Sequence, residues 1–180
     1  MPVVRGKNIE VLYSAETIAA RNQEMAGDIV RGPHKDLLVI SILKGSFIFA
    51  ADLIRAMHAA GLAPEVEFIT LSSYGTGTTS KGVRIVKDID SDVKDRDVLL
   101  IDDILESGRT LTFARDLLLE RGARHVSIAV LLDKHDKRQT SMEADHVGFR
   151  CPDHFVVGYG MDVAYAFCEL PFVGVVTGDA

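Results

Sequence analysis

The chain has 180 residues, 47% of them hydrophobic and 26% charged, and its 26 acidic against 20 basic side chains leave a formal net charge of -6. One domain of that length buries roughly 70% of its unfolded surface, so neither disulfides nor a structural metal are needed to hold a core. The acidic balance excludes a protein whose main task is to coat nucleic acid or an anionic membrane, since both require a basic face. No apolar run approaches the roughly 18 residues that span a bilayer, and the first residues lack the apolar stretch of a signal peptide. A cytoplasmic protein is expected, with Cys151 and Cys168 as two free thiols.

Ser14 caps a predicted helix whose first turn carries Glu16; Ile18, Met25, Ala26 and Ile29 recur on one face until Gly32-Pro33 ends it. Leu37-Leu38-Val39-Ile40-Ser41-Ile42 is apolar almost without a break, the pattern of a strand covered on both faces in a parallel sheet. A second helix is marked by Phe49, Ala50, Leu53, Ile54 and Met57, with Gly61 as its stop. Next come a strand over Val66 to Leu71, a Gly/Ser/Thr-rich stretch from Ser72 to Gly82 that should be a mobile surface loop, and a strand near Val83 to Val86. Asp97 to Ile101 is another buried-type strand, Thr110 to Glu120 a helix with Leu111, Ala114, Leu117 and Leu118 inward, and His125 to Leu132 a further strand. Phe155-Val156-Val157 and Phe172 to Val176 either finish the sheet or form a small flap over one end of it. Strands alternating with helices predict one α/β domain over residues 1–180, its mostly parallel twisted sheet flanked by helices.

The chemistry concentrates between Val98 and Leu111. A buried strand leads to the carboxylates Asp102 and Asp103, then through Ile104-Leu105 into Glu106-Ser107-Gly108-Arg109-Thr110, where a helix begins. Open parallel sheets bind ligands beyond the carboxyl ends of their strands, and a loop entering a helix there presents unpaired backbone N–H groups to an anion. Gly108 allows close backbone approach and the Ser107 and Thr110 hydroxyls add donors, so the loop suits a phosphate. The neighbouring carboxylates suit sugar hydroxyls or a magnesium ion. Strand-Asp-Asp and a Ser-Gly helix start are each ordinary alone; the ordered string is far more specific. No Walker A pattern occurs, and neither Gly75-Thr76-Gly77 nor Gly158-Tyr159-Gly160 continues into a dinucleotide fingerprint.

The run Ile101 to Thr110 resembles the binding motif for 5-phosphoribosyl 1-diphosphate of type I phosphoribosyltransferases. Leu43-Lys44-Gly45-Ser46 resembles the diphosphate loop of the hypoxanthine-guanine subgroup, Ser73-Tyr74-Gly75 the opening of its lid, and Lys134 with Pro152 to Asp162 its purine pocket. The resemblance runs from about Val11 to Val176 and implies that family's fold, with a small hood or flap from the terminal segments. It further implies that Asp102 and Asp103 hold the ribose hydroxyls, and that Ser107, Gly108, Arg109 and Thr110 bind the 5′-phosphate. Lys44 and Gly45 would bind diphosphate, with a cis peptide expected between Leu43 and Lys44. Lys134 would donate to the purine 6-oxygen, Phe155 stack on the ring and the Val156 main chain meet its polar edge, while Glu106 serves as general base. Mg2+ would be the cofactor, served by Asp162, Asp102 and Asp103, and the loop from Ser73 to Lys81, with Ser73 and Tyr74 at its start, would close over the reacting centre.

The chain also departs from the family pattern. Glu106 stands where relatives usually carry Asp, Asp102 where they often carry Glu, Ser46 in place of a loop glycine, and Cys168 in place of an Arg that reaches diphosphate; Arg138 matches a basic position near the pocket. The implied activity is purine salvage: phosphoribosyl transfer to hypoxanthine or guanine, giving IMP or GMP and diphosphate, by a homodimer or homotetramer. An alternative is a regulator on the same fold that senses phosphoribosyl diphosphate or nucleotide and binds RNA. Lys134, Phe155 and Asp162 speak against it, as does the net charge of -6, which offers no evident RNA face.

Overall fold

The structure is a computed structural model that describes residues 1–73 and 82–179. In chain order its elements are β1 (Val3–Val4), β2 (Lys7–Tyr13), α1 (Ala15–Arg31), β3 (Leu38–Leu43), α2 (Phe47–Ala59), β4 (Glu65–Ser73) and β5 (Val83–Lys87). Then follow β6 (Asp97–Leu105), α3 (Arg109–Glu120), β7 (His125–Asp133), a 3-10 turn at His135–Lys137, β8 (His146–Arg150), β9 (Val156–Val157) and β10 (Val173–Asp179).

Six strands form the main sheet in the order β5-β4-β3-β6-β7-β8. Only the edge strand β5 runs antiparallel to its neighbour. Alternation of side chains along each strand divides the core in two. Val39, Leu99, Ile101, Ala129 and Leu131 face one way and pack with Ile18, Met25 and Ile29 of α1 and Phe49, Leu53 and Met57 of α2. Leu38, Ile40, Val98, Leu100, Ile128 and Val130 face the other way and pack with Leu111, Ala114 and Leu118 of α3. Helices on both faces explain why β3 and β7 are continuous apolar runs. The Ser14 hydroxyl accepts from Thr17 N–H at 3.2 Å, so α1 begins where its cap predicts.

A second, antiparallel sheet, β1-β2-β10-β9, has a small core of its own around Ile9, Val157, Phe167 and Leu170. Of the two roles left open for the C-terminal apolar pieces, the structure shows the flap. Neither β2 nor β8 was legible in the sequence: Lys7, Asn8 and Glu10 interrupt the apolar pattern of β2, and β8 is a half-buried edge strand. β6 also runs further than its apolar run suggests. Its ladder with β7 continues through Asp102 and Ile104 to Leu105, so the two acids lie within the strand. Of the predicted mobile loop, Ser72 and Ser73 complete β4, and 74–81 lie outside the described residues.

Candidate active site

The carboxyl ends of β3, β6 and β7 deliver three loops to one edge of the sheet, the position at which open parallel sheets present their ligand sites. The first loop joins β3 to α2. Its Leu43–Lys44 peptide is cis, as expected. Ser46 turns inward, where its hydroxyl meets Ser41 Oγ at 2.7 Å and donates to the Ile42 carbonyl. Replacement of the usual loop glycine by Ser46 therefore adds no side chain to the cavities at this edge. Gly45 is constrained more tightly, because a Cβ there would collide with the Asp103 carboxylate.

The second loop runs from β6 into α3. Gly108 is in the left-handed region at φ 83°, and any Cβ on it would strike the Thr140 hydroxyl. The segment from Arg138 to Met142, which carries no motif of its own, supports this loop from outside. Gln139 N–H donates to the Ser107 carbonyl at 2.9 Å, and Arg138 Nε to the Glu106 carbonyl at 3.1 Å. The buried Arg138 guanidinium also pairs with Asp133 and donates to the Met142 carbonyl, so its charge is spent on holding the loop.

A cavity of about 410 Å3 lies against these two loops, lined by Lys44, Gly45, Asp102, Asp103, Ser107, Gly108 and Thr110, with Ser73 at its rim. Arg109 is exposed and lines no part of it, and Tyr74 lies outside the described residues. The two acids are unusual. Burial, and then the charge of Asp103, hold the Asp102 carboxyl well above the ordinary carboxylate range; burial also raises Asp103. Asp102 Oδ1 accepts from Asp103 N–H at 2.9 Å and Asp103 Oδ1 from Ile104 N–H at 2.8 Å. Among the described residues no lysine or arginine forms an ion pair with either acid. Two hard carboxylate donors that share a desolvated site and have no cation in direct contact fit a divalent cation such as Mg2+.

A larger cavity of about 770 Å3 adjoins the first and is lined on its far side by Lys134, Lys137, Asp153, Phe155, Val156 and Asp162. Lys134 is buried at the end of β7, its N–H bonded to the Leu105 carbonyl at 2.9 Å. Phe155 is 68% exposed, so it is no core residue but an aromatic face standing in solvent beside the cavity, while Val156 is buried in β9. Asp162 is exposed and its Oδ2 accepts from Tyr165 N–H at 2.6 Å. Glu106 is among the residues that line both cavities, and its Oε1 lies 3.7 Å from the ammonium groups of Lys134 and Lys137 in the larger one. A cleft at a helix start thus adjoins a larger pocket that Phe155 lines, and Glu106 belongs to both. That arrangement can hold a sugar phosphate and an aromatic base side by side and take a proton from the base.

Residues 8–164 match the family model described as a phosphoribosyl transferase domain. The chain belongs to that family. Hypoxanthine phosphoribosyltransferase of Escherichia coli is 39% identical over 170 residues, covering 92% of this chain and 94% of its own. Hypoxanthine-guanine phosphoribosyltransferase of Aquifex aeolicus is 42% identical over 165 residues, covering 90% of this chain and 91% of its own. Among solved structures, a Staphylococcus aureus hypoxanthine phosphoribosyltransferase superposes with a TM-score of 0.87 at 39% identity, covering 93% of this chain and 90% of its own. A Trypanosoma cruzi hypoxanthine phosphoribosyltransferase reaches a TM-score of 0.90 at 34% identity, covering 98% of this chain and 94% of its own. The mixed, mostly parallel sheet with helices on both faces is therefore the type I phosphoribosyltransferase fold. Family members are generally Mg2+-dependent.

Within the Pro152 to Asp162 motif, Tyr159 has a structural role that neither the motif nor the apolar pattern signals. Tyr159, in the turn after β9, is buried; its hydroxyl donates to Asp52 Oδ2 of α2 at 2.5 Å and accepts from Asn22 Nδ2 of α1 at 2.9 Å. The same turn brings Gly160 against the Gly45 carbonyl, where a Cβ would clash. Cys168 accepts from Gly160 N–H at 2.9 Å through its carbonyl and lines neither site cavity, so no cation reaches the site from that position.

Proposed function

We propose that this chain transfers the 5-phosphoribosyl group from 5-phosphoribosyl 1-diphosphate to hypoxanthine or guanine, releasing diphosphate and forming IMP or GMP. The observation that carries the proposal is that Glu106 lines both cavities, the larger also lined by Lys134 and Phe155 and the smaller by Ser107, Gly108 and Thr110. The Escherichia coli and Aquifex aeolicus relatives bear the names of enzymes of this activity. None of the relatives named above bears a name that supports the RNA-binding alternative.

In the proposed complex the 5′-phosphate takes backbone N–H groups at the start of α3 and the hydroxyls of Ser107 and Thr110. Asp102 and Asp103 hold the ribose hydroxyls, and Lys44 with the Gly45 backbone faces the diphosphate. Phe155 stacks on the purine, the buried Lys134 donates to its 6-oxygen, and the Val156 main chain meets its polar edge. As the bond from C1 of the ribose to diphosphate breaks and the bond to a purine nitrogen forms, Glu106 receives the proton from purine N7. Asp102, Asp103 and Asp162 would hold Mg2+, which supplies positive charge opposite the leaving diphosphate.

Assembly into a homodimer or homotetramer goes with the same proposal; Phe47, Val66 and Phe68 are exposed apolar side chains that a subunit contact would cover. So does a cytoplasmic location, since Cys151 and Cys168 are both free thiols, the state a reducing compartment maintains. No helix among the described residues is long and apolar enough to cross a membrane.

The test is a spectrophotometric assay of hypoxanthine, guanine, xanthine, adenine and uracil with phosphoribosyl diphosphate and Mg2+. Product with hypoxanthine or guanine is expected. Failure with both would overturn the proposal, and retention of RNA at moderate salt by such an inactive chain would favour the sensor.

A further inference from the structure

The Glu106 carboxylate has two lysines on one oxygen. Lys134 Nζ and Lys137 Nζ each stand 3.7 Å from Glu106 Oε1. Lys137 is held in turn by Asp153, whose Oδ1 lies 2.9 Å from its ammonium. All four side chains line the larger cavity. The two lysines differ in setting: Lys134 is buried at the end of β7, whereas Lys137 ends the 3-10 turn beyond it and is half-exposed.

Any role for Lys137 in the reaction rests on the proposed function, with Glu106 as the base and Lys134 as the donor to the purine oxygen. A bound purine then needs both groups at once. Lys134 must turn its ammonium to the 6-oxygen while Glu106, a few ångströms away, must stay ionised to receive the N7 proton. Filling the cavity also removes water from around the carboxylate, which disfavours its charged form. A cation that does not move with the base would offset both effects. Lys137 meets that description because Asp153, not the purine, fixes it.

We propose that Lys137, held by Asp153, is a positioning residue for Glu106, remaining as the counter-ion of its carboxylate when Lys134 turns to the purine oxygen. Hydrogen bonding and charge from Asp153, then charge from Glu106, keep the Lys137 ammonium protonated, its pKa above the ordinary lysine value. The other charged or titratable groups facing this part of the cavity are Lys44, Asp103, His154 and Asp162. None of them forms an ion pair with the Glu106 carboxylate among the described residues. Arg138 bonds the Glu106 carbonyl and is committed to Asp133.

The experiment is the pH dependence of the single-turnover rate with saturating phosphoribosyl diphosphate, Mg2+ and hypoxanthine. Lys137→Met keeps the aliphatic stem and removes the charge. A cation favours the ionised carboxylate, so its loss should move the acid limb upward by ~0.5 pH unit, the size expected of a half-exposed ion pair. The Michaelis constant for phosphoribosyl diphosphate should stay within about twofold of native. Lys137→Arg should return the limb to its native position, which a purely structural role would not require. Glu106→Gln is measured alongside. Native turnover in Glu106→Gln removes the base and with it the role of Lys137. Impaired turnover in Glu106→Gln with an unmoved limb in Lys137→Met overturns the role of Lys137 alone and leaves the base standing.

Discussion

The Asp103 carboxylate occupies the space in which a Cβ on Gly45 would stand. The loop after β3 and Asp103 of β6 can therefore approach this closely because residue 45 has no side chain. In Gly45→Ala the carboxylate must swing away, giving up its bond from Ile104 N–H. The Asp103 Cγ is crowded as well, so the whole side chain must move and leave the Ile104 donor unpaired, at a cost to stability of about 1–3 kcal/mol. The group displaced also lies on the proposed ribose and metal site, where a shift of about 1 Å costs on the order of 10²-fold in rate. Steady-state kinetics beside thermal unfolding checks the split; native kcat/KM in Gly45→Ala would show that this contact does not position the acid.

Lys134 is expected to act on the base and not on the sugar phosphate. A charge-assisted hydrogen bond to the purine oxygen is worth roughly 1.5–3 kcal/mol, which corresponds to a rise of about 10- to 150-fold in the Michaelis constant for hypoxanthine in Lys134→Ala. The constant for phosphoribosyl diphosphate should change by about twofold at most, since Lys134 lines the larger cavity and not the smaller one. Equal effects on both constants would contradict the pocket assignment.

What could be read in the sequence was whatever chemistry is local. β3, β6 and β7 announce themselves as apolar runs because both of their faces are covered, and the string from Asp102 to Thr110 carries its own geometry as a strand end entering a helix. The supports of the site are contacts between distant segments. Arg138 reaches the Glu106 carbonyl across 32 positions and Tyr159 reaches Asp52 across 107, and no periodicity signals such pairs. Lys137 looks like any surface lysine until the fold sets it beside Glu106 and Asp153. β2 was missed for a different reason: it pairs in the small sheet with one face open, so its polar residues mask the strand pattern.

Tyr159 ties the turn after β9 to both helices on one face of the main sheet. Its single hydroxyl proton goes to Asp52, so Asn22 must present its amide N–H to the phenol oxygen. Burial and the Asp52 carboxylate together push the phenol well above the ordinary tyrosine range, keeping it a donor throughout the usable pH scale. Tyr159→Phe keeps the ring and removes both bonds, leaving Asn22 buried without a partner at either end of its amide. The expected cost is about 1–2 kcal/mol, seen as a fall of roughly 2–8 °C in Tm. An unchanged Tm would mean that water replaces the hydroxyl.

Metal binding at the paired acids, as proposed, would be visible in stability. Asp102 and Asp103 have folded-state pKa values raised above their unfolded values, chiefly by burial. For a raised carboxyl the sign is fixed: the folded state binds the proton more tightly, so the contribution to stability is full below the unfolded pKa and is lost as pH rises through the folded one. Asp97 acts in the opposite sense. Burial alone would raise it, but hydrogen bonds from Arg124 and from Lys35 N–H hold it below the ordinary range, so its contribution is lost on acidification. Comparison of native protein with Asp102→Asn separates the two, because Asp97 is common to both. Without metal, Asp102→Asn should gain on the native protein as pH rises from about 4 to 8, the ordinary aspartate value being about 3.9. Added Mg2+ should raise the native Tm more at pH 8 than at pH 4, because the raised Asp102 carboxyl holds its proton more as pH falls, and should raise it less in Asp102→Asn at either pH. Equal stabilisation of both proteins by Mg2+ would place the ion elsewhere, and a stability difference that does not change with pH would mean that the pair is solvated well enough to ionise normally.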